Sequence, residues 1–569
     1  MAFVDKFPNE AKLVRWHFGV GFIALAIGGL FGLVQALYRT GYFRDALPID
    51  ASQYYTVLTG HGVLLALVFT TFLICGFFVW AVTRSLDRQL AHQRVAWVGF
   101  LSMLVGTVLA ALTILNGFAP EIPFGSADVL YTFYAPLQAH PAFYVGAALL
   151  IVGSWIVGAE YFLTYREWRA DNPDERIPLQ TFMVLATFIM WYLSSLGVAV
   201  EVLAFLIPWS LGWISQVDPL LTRTLFWYFG HPVVYFWLLP AYLAWYTILP
   251  KLAGGKLFSD PLARIVFVLF VLLSTPVGFH HQYTDPGIAE GFKFIAMTNT
   301  FMLLLPSLLT AFTVVASLEH GARQRGAKGY FGWLRALPWG QPAFSAMALA
   351  GLVFAAGGFS GMINAGMNIN YLIHNTIWVP GHFHLTVGTA FALTMMGVSY
   401  WLVPQITGKQ LQHKTIAAVQ PFVWVVGMTL MSNAMHRGGL AGLPRRTAKP
   451  LFRGEGAAPF DPVVGSIAEM QLQIALGGTL LFVALAMFLV VMTGTWLSRS
   501  GVGQLSVNGT IPSPLSGPAD SPRILDNLKV WAGIAVVLVI IAYGLPLYSM
   551  LADGILSPGA GLLAPLLGL

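Results

Sequence analysis

The sequence predicts an all-α, polytopic membrane helix bundle of about thirteen transmembrane helices, and three observations predict it. Of 569 residues, 57% are hydrophobic and only 9% charged, whereas soluble domains run near a quarter charged. Mean hydropathy is +0.72. Apolar runs close to the ~20 residues that cross a bilayer recur from end to end. Each is read as a helix, because an unclosed strand cannot satisfy its backbone in lipid.

In order, the spans fall at about 16–38, 55–82, 95–117, 141–165, 178–208, 223–250, 265–279, 293–318, 338–364, 378–405, 416–437, 466–496 and 527–552. The first, WHFGVGFIALAIGGLFGLVQALY, has no clear small-residue cleavage site after it, so it reads as a retained helix rather than a signal peptide. The second carries Cys75, the only cysteine, which excludes an internal disulfide and any thiolate-held cluster. The fifth holds an intramembrane acid, Glu201, with no assignable role. The longest loops, 438–465 and 497–526, are rich in Gly, Pro and Ser. No internal repeat or soluble domain is evident. The chain reads as one transmembrane domain over 1–569, with a core at about 55–450 and C-terminal helices at about 466–552.

Loop charge orients the bundle. The N-terminus and the loops after even-numbered spans hold Lys6, Lys12, Arg15, Arg84, Arg88, Arg94, Arg166, Arg169, Arg176, Lys251, Lys256, Arg264, Arg323, Arg325, Lys328, Arg335, Lys409, Lys414, Arg499 and Arg523. The opposite side holds Arg39, Arg44, Arg445, Arg446, Lys449 and Arg453. The positive-inside rule then places the N-terminus in the cytoplasm and the C-terminus outside. It also accounts for the net charge of +6 without a nucleic-acid partner. Four of the six outer charges crowd into GLPRRTAKPLFRGEG, which needs its own explanation.

Six histidines lie in apolar segments: His61, His231, His280, His281, His382 and His384. A buried imidazole is costly in lipid unless it is paired, hydrogen-bonded or bound to a metal. The topology, which used no histidine, puts all six in the outer third of the membrane. That convergence argues for a cluster of metal sites over scattered interhelical hydrogen bonds. His382 and His384 are two apart, so they point to nearly opposite faces of one helix and suit two haems separated by it. His280 and His281, with His231 from the preceding span, can close a three-imidazole site of the kind that suits copper. Tyr235 is four residues after His231 and shares its helix face.

These segments carry a resemblance. LTGHGVLLA (58–66), GHPVVYFWLLP (230–240), STPVGFHHQ (274–282) and HNTIWVPGHFHL (374–385) resemble the core of subunit I of haem–copper terminal oxidases, most closely the B-type branch. The resemblance implies that His61 and His384 ligate a low-spin haem iron of b type and that His382 ligates a high-spin haem iron of a type. It implies that His231, His280 and His281 hold one copper, CuB, and that Tyr235 is covalently joined to His231. Arg445, Arg446 and His374 are then partners of haem propionates, which explains the basic outer loop, since a guanidinium fork suits a carboxylate. Lys449 and Arg453 read as surface charge.

The implied activity is that of a proton-translocating cytochrome c oxidase: O2 is reduced to water with protons from the cytoplasmic side. Tyr242 and Tyr246 lie about 10 and 17 Å below Tyr235 at ~1.5 Å per residue. With Ser307, Thr310 and Ser259 they match the single proton pathway of B-type relatives; Thr313 fits equally a bond to its own helix backbone. Val233 stands where A-type relatives have a glutamate that ends a proton channel, so that channel is not expected. Asn370 stands where relatives often have an aspartate near the propionates, and Asn375 where A-type chains have an aspartate, so no outer Mg²⁺ site is expected. With one cysteine the chain cannot form a dinuclear copper site. The resemblance therefore implies a subunit II carrying CuA, with cytochrome c as donor, in a prokaryotic cell membrane. A nitric-oxide reductase subunit would share the six histidines but lack Tyr235; a proton-coupled transporter would show no haem bands.

Overall fold

The computed structural model describes residues 3–41, 43–44, 46–449, 466–499 and 511–552; Arg453 lies outside them. Among the described residues, twelve helices are long and apolar enough to cross a membrane. They are α1 Pro8–Arg39, α2 Ala51–Leu86, α3 Gln93–Leu115, α4 Pro141–Asp171, α5 Leu179–Ser210 and α6 Pro219–Leu252. After a shorter α7 come α8 Glu290–Gln324, α9 Pro342–Ala365, α10 Trp378–Thr407, α11 Lys414–Leu440, α12 Ile467–Leu497 and α13 Leu528–Ala552.

The thirteenth expected span is α7, Asp260–Leu273, whose 14 residues make only ~21 Å of helix. It starts and stops earlier than hydropathy alone suggests. Ser259 caps it, its hydroxyl accepting Leu262 N–H at 3.3 Å, and Pro276 bars its continuation. His280 and His281 therefore sit not on the helix end but in a separate 3₁₀ turn, Gly278–Gln282. Likewise α6 begins at Pro219, N-capped by Asp218, so His231 lies further into its helix than expected. There Pro232 interrupts the helical ladder.

Local sequence explains the other boundaries that matter. Asp50 and Gln53 form a reciprocal capping box at the start of α2, and Ser466 and Glu469 form another at α12. Gly408, at φ +68°, ends α10 in a left-handed conformation that suits glycine. Three helices contain a π-helical stretch: Val63–Phe69 in α2, Glu201–Leu206 in α5 and Thr386–Phe391 in α10. Two of these begin two residues after His61 and His384, and such insertions cluster at functional sites.

Burial sorts the helices into centre and rim. The apolar windows of α6, α10 and α2 are 94%, 83% and 72% buried, against 28% for α13 and 33% for α1. The three central helices are those carrying His231, His382 with His384, and His61. At the rim, α3 and α4 form a tight antiparallel pair through glycines spaced seven apart. A Cβ on Gly106 would lie 2.4 Å from Gly146 O, and one on Gly153 2.7 Å from Gly99 O. Small residues allow this close approach where no hydrophobic drive separates helix from lipid.

Gly106→Leu should therefore force the pair apart, costing roughly 1–3 kcal/mol as overpacking does. A clear drop in the thermal midpoint of the purified protein is expected, with Gly106→Ala intermediate. An unchanged midpoint for the leucine variant would show that this contact is not packed as described.

Candidate metal centre

His231, His280 and His281 meet although they come from two separate elements. Each offers a ring nitrogen, and these atoms lie within 4.8 Å of one another. His231 Nδ1 faces His281 Nε2 at 2.9 Å, and the other side of the same ring, Nε2, faces Tyr235 Oη at 2.7 Å. His280 Nδ1 is bonded to Thr300 Oγ1 at 3.0 Å, leaving its Nε2 for the centre. Trp227 stacks flat on His281, 3.9 Å between centroids and 5° between planes. Three neutral imidazole nitrogens around one point, with an open side, form a donor set suited to copper.

The second constellation is a facing pair. The rings of His61 and His384 are 6.1 Å apart and 23° from parallel. Two imidazoles bound through ~2 Å bonds to one metal put their centroids about 6 Å apart, so the spacing fits an iron between them. His61 Nδ1 bonds Gly28 O at 2.8 Å and His384 Nδ1 bonds Pro380 O at 2.7 Å. Both Nε2 atoms would be left for a metal, in the arrangement that fixes ligand tautomer and orientation.

His382 uses the same device from the other face of α10. Its Nδ1 lies 3.0 Å from Gly357 O and 3.0 Å from Ser360 Oγ. The two helices that seat His61 and His382 share a pattern. On α1, Gly28 supplies the carbonyl and a Cβ on Gly32 would come within 2.8 Å of the His61 ring. On α9, Gly357 supplies the carbonyl and a Cβ on Gly361 would come within 2.8 Å of the His382 ring. A glycine-xxx-glycine step thus cradles each imidazole: one glycine accepts its N–H, the other makes room. These glycines, Ser360, Thr300 and Trp227 were not singled out from the sequence. The spaced glycines were a legible signal; the other three were not.

Two cavities flank α10. One is lined by His61, His384, Arg39, Tyr54, Arg445 and Arg446, the other by His231, His280, His281, Tyr235, His382 and His374. Arg445 borders both. The outer rim is braced by a short antiparallel bridge, Thr376 to Pro444, in which Arg445 N–H donates to Asn375 O and Arg445 Nη2 donates to Asn375 Oδ1, both at 2.9 Å. Buried Arg445 Nε and Arg446 Nη2 have no partner among the described residues, which is the donor set two carboxylates would satisfy. His374 Nδ1 meets Asn370 Oδ1 at 3.1 Å. Burial, then the adjacent Arg445, push the His374 imidazole down to about 4.

Away from the histidines, Tyr242 Oη donates to Ser307 Oγ at 3.4 Å and Tyr246 Oη meets Thr310 Oγ1 at 2.6 Å. Ser307 lines the same cavity as Tyr235, so the row reaches the site through that space. Thr313 bonds its own helix at Leu309 O, 2.8 Å. Ser259 is not drawn into the row: it caps α7, and its neighbour Phe258 gives its N–H to Ser317 Oγ at 2.8 Å. Glu201 is fully buried, with neither carboxylate oxygen partnered among the described residues.

Residues 12–480 match the family described as Cytochrome C and Quinol oxidase polypeptide I. The chain is 42% identical over 549 residues to cytochrome c oxidase subunit 1 of Thermus thermophilus, covering 94% of each. It is 26% identical to the alternative cytochrome c oxidase subunit 1 of Bradyrhizobium diazoefficiens, over 77% of this chain and 75% of that one. A solved haem–copper terminal oxidase, studied as a dimer by cryo-electron microscopy, superposes with a TM-score of 0.85 at 37% identity, covering 95% of this chain and 92% of the other.

Replacing one ligand at a time should separate the sites. His280→Ala is expected to remove the metal of the three-histidine centre while leaving the absorption of the group between His61 and His384. His384→Ala should do the reverse. Full copper in the first variant by elemental analysis, or an unchanged low-spin band in the second, would reject the assignment.

Proposed function

The chain belongs to the cytochrome c and quinol oxidase polypeptide I family, as the multi-pass catalytic subunit of a haem–copper terminal oxidase, and from that premise we propose how its residues divide the work. His61 and His384 hold a low-spin haem of b type, His382 holds a high-spin haem of a type, and His231, His280 and His281 hold CuB. The observation that carries this is the two-sided use of His231. Its Nδ1 turns to the three-histidine centre while its Nε2 turns to Tyr235.

When bound, the metals supply oxygen binding and electron storage, which is cofactor chemistry that the protein places and tunes. The residues do the rest. Arg445, Arg446 and His374 hold the propionates, and Arg445, bordering both cavities, ties the two haem positions to one loop. Tyr235 holds its hydroxyl on His231 Nε2 and lines the same cavity as the three histidines, where it could give a proton and an electron to oxygen. Beside its polar groups the cavity is lined by Val234, Trp237, Leu238 and Phe383, apolar side chains that would limit the access of bulk water.

Protons reach Tyr235 by way of Tyr246, Thr310, Tyr242 and Ser307, hydroxyls that can relay through intervening water without a charge in the lipid core. Ser259 belongs to the mouth of this path. Electrons come from a subunit II that carries CuA and takes them from cytochrome c. The enzyme resides in a prokaryotic cell membrane, with its N-terminus in the cytoplasm, and couples oxygen reduction to pumping. A nitric-oxide reductase is disfavoured by the placement of Tyr235 on His231.

Tyr235→Phe keeps the ring volume and removes only the hydroxyl, so folding and haem content should survive. Oxygen reduction should fall by orders of magnitude while carbon monoxide still binds the reduced high-spin haem. The wild-type peptide spanning His231 and Tyr235 should weigh about two hydrogens less than its sequence, as a His–Tyr bond requires. Wild-type oxygen consumption by the phenylalanine variant would leave Tyr235 a packing residue.

Asn370 stands where relatives carry a carboxylate, yet its amide is engaged on both sides, donating to Asn364 O at 2.6 Å and accepting from His374 at 3.1 Å. An acid is therefore not required here, and Asn370→Asp should change turnover little. A several-fold gain in protons pumped per electron would show that the missing carboxylate mattered.

A further inference from the structure

Beyond Thr310 the same helix carries further hydroxyls, each bonded to its own backbone: Thr313 to Leu309 O at 2.8 Å and Ser317 to Thr313 O at 2.6 Å. On α8, Ser307, Thr310, Thr313 and Ser317 follow one another at helical spacing, and the last three are almost fully buried. Ser317 ends the row, about 15 Å further along the helix than Ser307 at ~1.5 Å per residue. Its Oγ accepts Phe258 N–H at 2.8 Å, so the row abuts the loop that carries Ser259.

The other edge of that loop is bound to a distant part of the chain. Leu515 N–H donates to Leu257 O at 2.9 Å, Ser516 N–H to Phe258 O at 3.1 Å and Asp260 N–H to Ser516 O at 3.0 Å. Ser259 and Ser516 form a parallel bridge. The loop 257–260 is thus held between Ser317 on one side and the segment preceding α13 on the other.

A buried charge cluster fixes that segment. Arg264, 1% exposed, donates to Asp260 Oδ1 at 2.6 Å and to Asp526 Oδ1 at 2.6 Å. Arg176, from the loop before α5, donates to Asp526 Oδ2 at 2.7 Å and to Ser521 O at 2.5 Å. Ser521 Oγ donates to Asp260 Oδ1 at 3.1 Å. Two arginines and two aspartates compensate one another, Arg264 and Asp260 buried and Arg176 and Asp526 19% and 17% exposed, so removal of one partner would leave the cluster unbalanced. The segment buries few apolar side chains: Ile524 is 49% exposed, and residues 518–520 are exposed. Directed polar bonds rather than core packing set its position, and with it the position of the loop 257–260.

We propose that the segment 511–526 is a strap that sets the mouth of the proton row, with Asp526 as the positioning residue that locks it through Arg264 and Arg176. This rests on the reading of the hydroxyl row as the proton path. Asp526 touches no reacting group. It acts by holding Leu257–Asp260 against Ser317, at the end of the row remote from the metal ligands.

The test uses the complete oxidase with its metals. Asp526→Asn is assayed in a single turnover that follows haem oxidation optically and proton uptake with a pH-sensitive dye. Proton uptake should slow at least roughly tenfold, within the ~100-fold that a 1 Å misplacement can cost. The solvent deuterium isotope effect should rise, with haem content, carbon monoxide binding and the first, proton-independent electron transfer unchanged. Asp526→Glu should restore uptake. If Asp526→Asn does not assemble, Arg176→Lys, which keeps the Arg264 pair but loosens the strap, should show the same slowing. Wild-type uptake in Asp526→Asn, or failing that in Arg176→Lys, overturns the proposal. Tyr246→Phe separates the two readings: a slow Tyr246→Phe beside a normal Asp526→Asn sinks the strap alone, whereas wild-type uptake in Tyr246→Phe sinks the proton path itself.

Discussion

An imidazole inside a membrane protein is costly unless its ring nitrogens find partners, and the centre of this molecule is arranged around that cost. For His61, His382 and His384, one nitrogen is taken by a backbone carbonyl, of Gly28, Gly357 and Pro380 respectively. His280 uses Thr300, and His231 uses Tyr235. The rings bonded to backbone carbonyls are thereby held with Nδ1 as donor and Nε2 available, while His231 spans between Tyr235 and His281. The helix distortions belong to the same constraint. Breaking the ladder at His231 and inserting π-helical stretches after His61 and His384 let three central helices turn these rings inward.

The two cavities beside α10 are coupled through one helix and one loop. Because His382 and His384 leave opposite faces of α10, the cavities on its two sides share Phe383 and Val379 as a common wall. At their outer rim Arg445 borders both and is fixed by Asn375, while Arg39 Nη2 donates to Pro444 O at 3.0 Å and binds α1 to the same loop. Asn375 thus has a structural part that its reading as a mere departure from an aspartate did not reveal. A shift of this loop would be felt at both cavities together, which suits a pair of groups that exchange electrons.

Much of this was legible in the sequence, for identifiable reasons. Composition and hydropathy report burial in lipid directly, so the class and twelve of the spans follow from the residues. Loop charge predicts one common depth for the six histidines, and the structure places them along two neighbouring cavities. What failed was local. Hydropathy cannot see that Pro276 stops α7 short, so His280 and His281 were put on a helix end instead of in a 3₁₀ turn. The start of α6 was missed because Asp218 and Pro219, a cap and a first-turn proline, were not used as a start signal. Long-range partners were out of reach altogether. Nothing near Ser317 announces Phe258, and nothing near Asp526 announces Arg264, 262 residues away. The glycine pairs at 28/32 and 357/361 lie between these extremes: their spacing was visible, their purpose only once the rings were in place.

The proposed arrangement has six cavity-lining histidines hold two irons and one copper in fixed order. It is tested most directly by counting metals in the purified wild-type oxidase and its His231→Ala variant, using elemental analysis together with a pyridine haemochrome spectrum. Correction is made for copper held by any partner subunit. The account predicts two haem irons per chain in both proteins, and one copper assignable to this chain in the wild type but none in the variant. A wild-type chain with a single haem, or a His231→Ala variant that keeps its copper and loses a haem instead, would contradict it.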